Sequence, residues 1–396
     1  MSSSVSPGPW LRLTAIGAVH GALIAVVSGT IGGDIHRAAS VVAVPPLVAL
    51  IVAGRLAHPR LLPSSVAALG LFGAAALVTV PGLHVALAAA ALAGCLVAAV
   101  QTFRGAPAPS GPLRDYVTLT KPRIMSLLLI TGACGMFVGA QGVPPLGDLG
   151  LMLVGLALAC GGASALNHVL DADIDQLMGK RTRARPVAAG RVPPSRALEF
   201  GLALSAFSFV LLASFVNVLT AALALVGNLF YVLVYTRLLK RSTPQNIVIG
   251  GAAGAVPPLV GYAAATGNLA LPALLLFAIV FFWTPPHFWA LALLIRRDYE
   301  AARIPMLPVV RGERETTRQI VIYSLVLVGV TLLPVAWRTF GFVYLGSAVV
   351  LGAWFILLAW RLRAEPTPAR ASGLFHYSLA YLALLFIAMA VDPLLT

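Results

Sequence analysis

Residues 167–191 read NHVLDADIDQLMGKRTRARPVAAGR. They follow a wholly apolar run, residues 149–166, and pass within a few positions through Asp171, Asp173 and Asp175 into a dense set of cations. Asn167, Asp171 and Asp175 recur every fourth residue, so a helix continued past the apolar run stacks them on one face, side chains about 6 Å apart, while Asp173 points elsewhere. Such a stack at a membrane helix end repels itself unless a cation bridges it. A hard divalent ion suits it: Mg²⁺ prefers oxygen ligands, is held by one or two carboxylates, and is completed by waters and substrate phosphate. Lys180, Arg181, Arg183, Arg185 and Arg191 follow at once and can meet phosphate charge, arginine by bidentate contacts. The competing reading is a cytoplasmic loop with positive-inside charge and incidental acids, which would have no reason to keep helical register.

Working outward, the rest of the chain is membrane-embedded. Hydrophobic residues make up 59% of its 396 residues and charged ones 10%, and the mean hydropathy is +0.94. At about 20 apolar residues per span, the sequence holds about thirteen candidates, the first at residues 11–31 being too long and too well followed by others to be a cleaved signal peptide. The net charge of +14 points here to orientation in a lipid bilayer and not to nucleic acid. With nine spans after Lys121 and about four before it, every lysine and arginine except Arg37 and Arg338 falls on one side, which the positive-inside rule makes cytoplasmic. The N-terminus is then inside and the C-terminus outside. Cys95, Cys134 and Cys160 stand isolated in apolar runs and read as small buried hydrophobes, neither disulfide partners nor zinc ligands.

Residues 1–104 read as an N-terminal extension of about four shorter spans (11–31, 40–52, 64–80 and 84–103), with no motif that assigns a role. His20 alone sits well within a span there, where a haem ligand or a proton relay is the sharper reading. Residues 105–111, GAPAPSG, form a linker, and residues 112–396 a second domain. Lys121 and Arg123 lie at the cytoplasmic mouth of its first span, as anchors or as phosphate ligands. A later span, residues 221–235, carries Asn228 toward the bundle interior and ends in YTRLLKRSTPQN, gathering Tyr235, Lys240 and Arg241 at the same surface. Residues 247–265 contain GGAAGAVPPLVGY, in which small residues allow close packing and Pro257 and Pro258 predict a kink. The next span contains WTPPHFWALAL, residues 283–293, where Pro285 and Pro286 are expected to break the helix and open a cavity. His287 with Trp283, Phe288 and Trp289 would suit a large planar aromatic ligand; the alternative is a satisfied structural histidine. Asp298 offers a further carboxylate at the level of Asp171 and Asp175. Spans at 320–337, 343–360 and 375–391 read as scaffold.

Asn167, Asp171 and Asp175, followed by Met178, Arg181, Thr182, Arg185 and Pro186, resemble the signature of the UbiA superfamily of intramembrane prenyltransferases. YTRLLKRST, residues 235–243, resembles its tyrosine and lysine loop. WTPPHFWALAL and DYEAARIPMLPVV, residues 298–310, are similar to one branch, the protoheme IX farnesyltransferases or haem O synthases. The resemblance covers residues 112–393 and not the first hundred. Where many members carry a second acidic pair, this chain has Asp298 with Ala302 four residues on, which leaves open whether one Mg²⁺ or two are held.

The resemblance implies an all-α polytopic membrane bundle, a nine-helix prenyltransferase core around a central cavity, preceded by about four extra transmembrane helices. It implies Mg²⁺ as cofactor, farnesyl diphosphate and haem b as substrates, haem O as product, a cytoplasmic mouth, and contact with haem A synthase. Catalysis would rest on Asn167, Asp171, Asp175, Lys240 and Asp298, with the metal held by Asn167, Asp171, Asp175 and Asp298. Lys121, Arg123, Arg181, Arg185, Tyr235 and Arg241 would bind diphosphate; His287, Trp283, Phe288 and Trp289 would bind haem. Two alternatives stay open: a UbiA-type enzyme acting on a quinone precursor or a chlorin, and a polytopic transporter, which also has broken helices and a midplane histidine.

Overall fold

The computed structural model describes residues 113–336 and 340–395. The N-terminal extension with His20, the linker, Cys95 and Arg338 lie outside them. All regular structure among the described residues is helical. Among the described residues, nine helices are long and apolar enough to cross a membrane: α1 Pro122–Ala140, α2 Leu146–Leu170, α3 Pro194–Phe215, α4 Val218–Ser242, α5 Asn246–Thr266, α6 Leu271–Leu294, α7 Gly312–Val335, α8 Phe342–Ala364 and α9 Pro368–Leu394. The nine-helix core expected for the second domain is therefore present. Prolines in the first turn start α1, α3 and α6, where a missing N–H and a fixed φ cost nothing. Asn217 caps α4, its Oδ1 accepting from Thr220 N at 2.8 Å.

Each helix packs on the next, and α9 returns to α1, so the bundle closes on itself, with α1 on α5 and α6 on α9 as further contacts. Lipid tails are as apolar as leucine, so membrane helices associate by close packing of small residues and by interhelical hydrogen bonds. Both are visible. A Cβ at Gly261 of α5 would run into the carbonyl oxygen of Gly132 in α1, and one at Gly135 into that of Pro258. Ser208 of α3 donates to the Gly155 carbonyl of α2 at 2.6 Å. Asn228 faces inward, as its polarity predicts, and donates to Ala159 O at 3.0 Å and Ser205 Oγ at 2.9 Å. The α6–α9 side is a scaffold of large buried side chains, among them Trp289, Tyr344, Phe355, Tyr381 and Phe386. Its buried hydroxyls are satisfied: Tyr344 donates to Thr331 O at 2.6 Å, and Tyr381 lies 2.9 Å from Thr331 Oγ1.

Two helices, α5 and α4, depart from regularity, and only α5 does so as the sequence predicts. α5 is divided at Ala255 into Asn246–Gly254 and Val256–Thr266, directly before Pro257 and Pro258. α6 corrects the expectation of a broken helix, because Leu271–Leu294 runs through Pro285 and Pro286 without interruption. Proline keeps a helical φ, and Thr284, Pro285, Pro286 and His287 are all buried within the bundle. α4 changes at Phe230–Leu239 into a π-helix, a wider form that is rare and recurs at functional sites.

Candidate active site

The site is built at the C-terminal end of α2. Asp171 ends the regular helix at φ −95° and ψ 1°, and a short helix Ala172–Leu177 follows. Backbone hydrogen bonds nevertheless continue through the junction, Asp171 N to Asn167 O at 2.9 Å and Asp175 N to Asp171 O at 2.8 Å. Asn167, Asp171 and Asp175 therefore keep their register, and they are 3%, 0% and 0% exposed. Asp173, out of register, is exposed.

Each member of the stack meets a cation from another part of the chain. Lys121 Nζ donates to Asn167 Oδ1 at 2.7 Å, Lys240 Nζ to Asp171 Oδ2 at 2.5 Å, and Arg185 Nη1 to both oxygens of Asp175 at 2.7 and 2.9 Å. Asn167 Nδ2 closes the network by donating to Asp171 Oδ2 at 2.8 Å and Thr236 Oγ1 at 3.1 Å. Local structure explains how these groups arrive. Lys121 sits at φ 50° ahead of Pro122, and the preceding turn is pinned to α2 by Ser164 Oγ donating to Leu119 O at 2.7 Å. Thr236 and Lys240, four residues apart, come off the π-helix, where Thr236 Oγ1 also donates to Tyr231 O at 2.9 Å. Burial, helped by the nearby Arg185 charge, brings the Lys121 ammonium down to about 7. Burial pushes the Asp175 carboxyl above its ordinary value against the pull of Arg185.

The donor set fits a hard divalent ion. Asp171 Oδ1 is buried and has no hydrogen-bond partner among the described residues, which leaves a carboxylate oxygen available beside the Asn167 and Asp175 oxygens. No group of three or more His, Cys, Asp or Glu side chains is arranged to hold a metal among the described residues. An ion here needs further oxygens from water and substrate, which is how Mg²⁺ is ordinarily held.

The other expected residues divide into near and far. The Asp298 carboxylate, on the short helix Arg296–Ala301 after α6, lies against Gly179, where a Cβ would come within 2.5 Å of its Oδ2. The acidic ends of α2 and α6 thus meet. Tyr235 stacks on Tyr231 with centroids 5.5 Å apart and covers Gly250 of α5. Arg241 turns away, to Asp173 at 2.7 Å and Leu170 O at 2.6 Å. Arg191 ties down the buried Asp115 at 3.0 Å, while Arg123 and Arg181 are exposed.

His287 is buried deep in α6 with Nδ1 2.7 Å from Ser378 Oγ of α9. Its ring stacks between Trp283 at 4.3 Å and Phe375 at 4.8 Å, with Phe288 edge-on at 5.1 Å. Trp289 does not join this group. Two residues on, it faces the other way round the helix and meets Tyr323 of α7 at 5.2 Å. Phe375 takes the place expected of it. Two buried polar residues of the α2 site, Thr236 and His168, were not among the expected ones. The four-residue spacing of Thr236 from Lys240, and a histidine within an apolar run beside Asn167, are the signals that point to them.

The UbiA prenyltransferase family matches residues 128–388. The chain belongs to the UbiA prenyltransferase family. Among its relatives, the protoheme IX farnesyltransferase of Symbiobacterium thermophilum is 54% identical over 282 residues, 71% of this chain and 94% of that one. That of Gloeobacter violaceus is 53% identical over 293 residues, covering 74% and 95%. The protoheme IX farnesyltransferase of Roseiflexus sp. is 52% identical over 280 residues, 71% of this chain but only 52% of that longer relative. In fold, this UbiA prenyltransferase is similar to a digeranylgeranylglyceryl phosphate synthase, at TM-score 0.61 and 19% identity over 72% of this chain and 99% of that one. A UbiA homologue from Archaeoglobus fulgidus bound to DMAPP and Mg²⁺ superposes at TM-score 0.50 and 17% identity, covering 70% and 99%.

Proposed function

We propose that this UbiA prenyltransferase moves the farnesyl group of farnesyl diphosphate to a vinyl group of haem b, giving haem O and diphosphate. Relatives that are 52–54% identical over 71–74% of the chain carry the name protoheme IX farnesyltransferase. The geometric observation that carries the reading is the buried layer of Asn167, Asp171 and Asp175 facing Lys121, Lys240 and Arg185 at the end of an apolar bundle. That layer holds both signs of charge needed for a metal-bound diphosphate.

Asp171, Asp175 and Asn167 would hold Mg²⁺, with Asp298 as the ligand nearest to a second ion. Mg²⁺, when bound, supplies positive charge that lowers the cost of diphosphate departure. Lys121, Lys240 and Arg185 would exchange their present partners, the Asn167 amide oxygen and the Asp171 and Asp175 carboxylates, for diphosphate oxygens, and Arg123, Arg181, Tyr235 and Arg241 would serve the same anion at its rim. As the C1–O bond breaks, its electron pair leaves on the diphosphate. Fixed cations in a water-poor site stabilise that charge, each worth about 3 kcal/mol when removed. The vinyl π bond then joins the allylic C1, and a water adds its oxygen to the carbon left electron-poor and loses a proton, giving the hydroxyfarnesyl chain. The apolar helices exclude other water until that point.

His287, Trp283 and Phe288 would position the porphyrin. Trp289 would act on it only through its packing on α7. Residues 112–396 form the catalytic domain in this proposal, with 105–111 as a linker and 1–104 as an N-terminal extension to which it assigns no role. The mouth faces the cytoplasm, the N-terminus lies inside and the C-terminus outside, and product would pass to haem A synthase. To test it, purified protein with farnesyl diphosphate and Mg²⁺ is offered haem b, a quinone precursor or a chlorin in turn. Haem O from the first alone is expected; prenylation of either other acceptor, with haem b untouched, would replace the proposal.

A further inference from the structure

His168 is 1% exposed, and neither ring nitrogen has a hydrogen-bond partner among the described residues. Buried polar atoms in native structures are almost always paired, so an exception calls for an explanation. An imidazole always offers at least one N–H or one acceptor nitrogen, and a position that needed only bulk would be served better by leucine. The ring lies on the site face of α2. At about 100° per residue, it is about 60° around the helix from Asp171 and about 20° from Asp175, and about 4.5 Å deeper than Asp171. The cations gathered on that face are Lys121, Arg185 and Lys240. These are the cations that meet Asn167, Asp175 and Asp171.

We propose that His168 is a further diphosphate-binding residue, its ring N–H donating to an oxygen of the allylic diphosphate held among Lys121, Arg185 and Lys240. The assignment rests on the diphosphate reading of this mouth given above. It explains why a polar ring is kept beneath the acid stack without a protein partner. The partner is the substrate, and the ring forms the floor on which the diphosphate is seated.

The test uses the full-length protein in detergent, Mg²⁺ and inorganic pyrophosphate as the probe, with affinity read by calorimetry and unliganded stability by thermal unfolding. His168→Leu is expected to weaken pyrophosphate binding about tenfold or more, the loss for one hydrogen bond to a charged group. Its unliganded melting temperature should be unchanged or higher, since no protein hydrogen bond is lost. His168→Asn, which restores an N–H donor, should recover most of the affinity. A melting temperature that drops in His168→Leu, with affinity lost equally in His168→Asn, would make the residue structural and overturn the assignment. Binding lost in Asp171→Asn but unchanged in His168→Leu would overturn it alone, while no binding by the wild type would remove the diphosphate reading and the assignment with it.

Discussion

Asp171 and Lys240 make the tightest of the ion pairs at the mouth, at 2.5 Å with side chains 0% and 12% exposed. A buried pair is weak evidence for stability, yet breaking one by removing a partner leaves a charge that water cannot reach, at a cost of about 3–5 kcal/mol. Lys240→Met is therefore expected to lower the unliganded stability by about 3 kcal/mol, and the double variant with Asp171→Asn should regain part of it. Thermal unfolding in detergent measures both; equal stability of Lys240→Met and wild type would mean that the pair is not formed. The exposed pair between Arg241 and Asp173 contrasts with it, since solvent screens such pairs to about 0–1 kcal/mol. At this scale the acid stack was legible because Asn167, Asp171 and Asp175 share one helical face. Their partners were not. Lys121 and Lys240 reach the stack across 46 and 69 residues of chain, and no local pattern records that the cations expected for phosphate sit on the side chains expected for metal.

The elements show what helical periodicity reads well and where it fails. Small residues in α5 point to a close helix contact, and the structure presses Gly261 against the Gly132 carbonyl of α1. Neither side of that contact is a flexible side chain, so nothing can move aside cheaply. Gly261→Ala is expected to destabilise the bundle by about 1–3 kcal/mol or more, whereas Gly147→Ala, with nothing within 4 Å, should be neutral. Thermal midpoints of the two variants decide, and matched midpoints would contradict the packing described. The π-helix at Phe230–Leu239 was invisible in the sequence because its residues are ordinary and its turn departs from the assumed 3.6 period. The same assumption misread α6: consecutive prolines mark a break only where packing leaves the axis free to bend, and here Thr284 Oγ1 donates to Val280 O at 2.8 Å within a buried stretch. Trp289 fell on the wrong face for a simpler reason, that neighbours in sequence around His287 are not neighbours on a helix.

In the whole molecule, polarity is divided by position. The α6–α9 side is a dense aromatic scaffold, and the charged network gathers where the ends of α1, α2, α4 and α6 meet. Composition and span counting made the bundle legible, because each helix had to be apolar along its length. The closure of the bundle, with α9 packed against α1, was not legible, since it depends on which faces match. That closure surrounds the acid layer with apolar helices, and in the proposed reaction it would join two chemistries in one place, departure of a diphosphate at a charged mouth and capture of its alkyl partner away from water. The most direct measurement of that union is mass spectrometry of the product formed from haem b, farnesyl diphosphate and Mg²⁺. Wild type and Asp171→Asn are compared, each with and without a chelator. The structure predicts haem O from the wild type with metal, and its loss by about a hundredfold or more in the variant or with chelator. Undiminished haem O from a folded Asp171→Asn protein would contradict the placement of the chemistry at this layer.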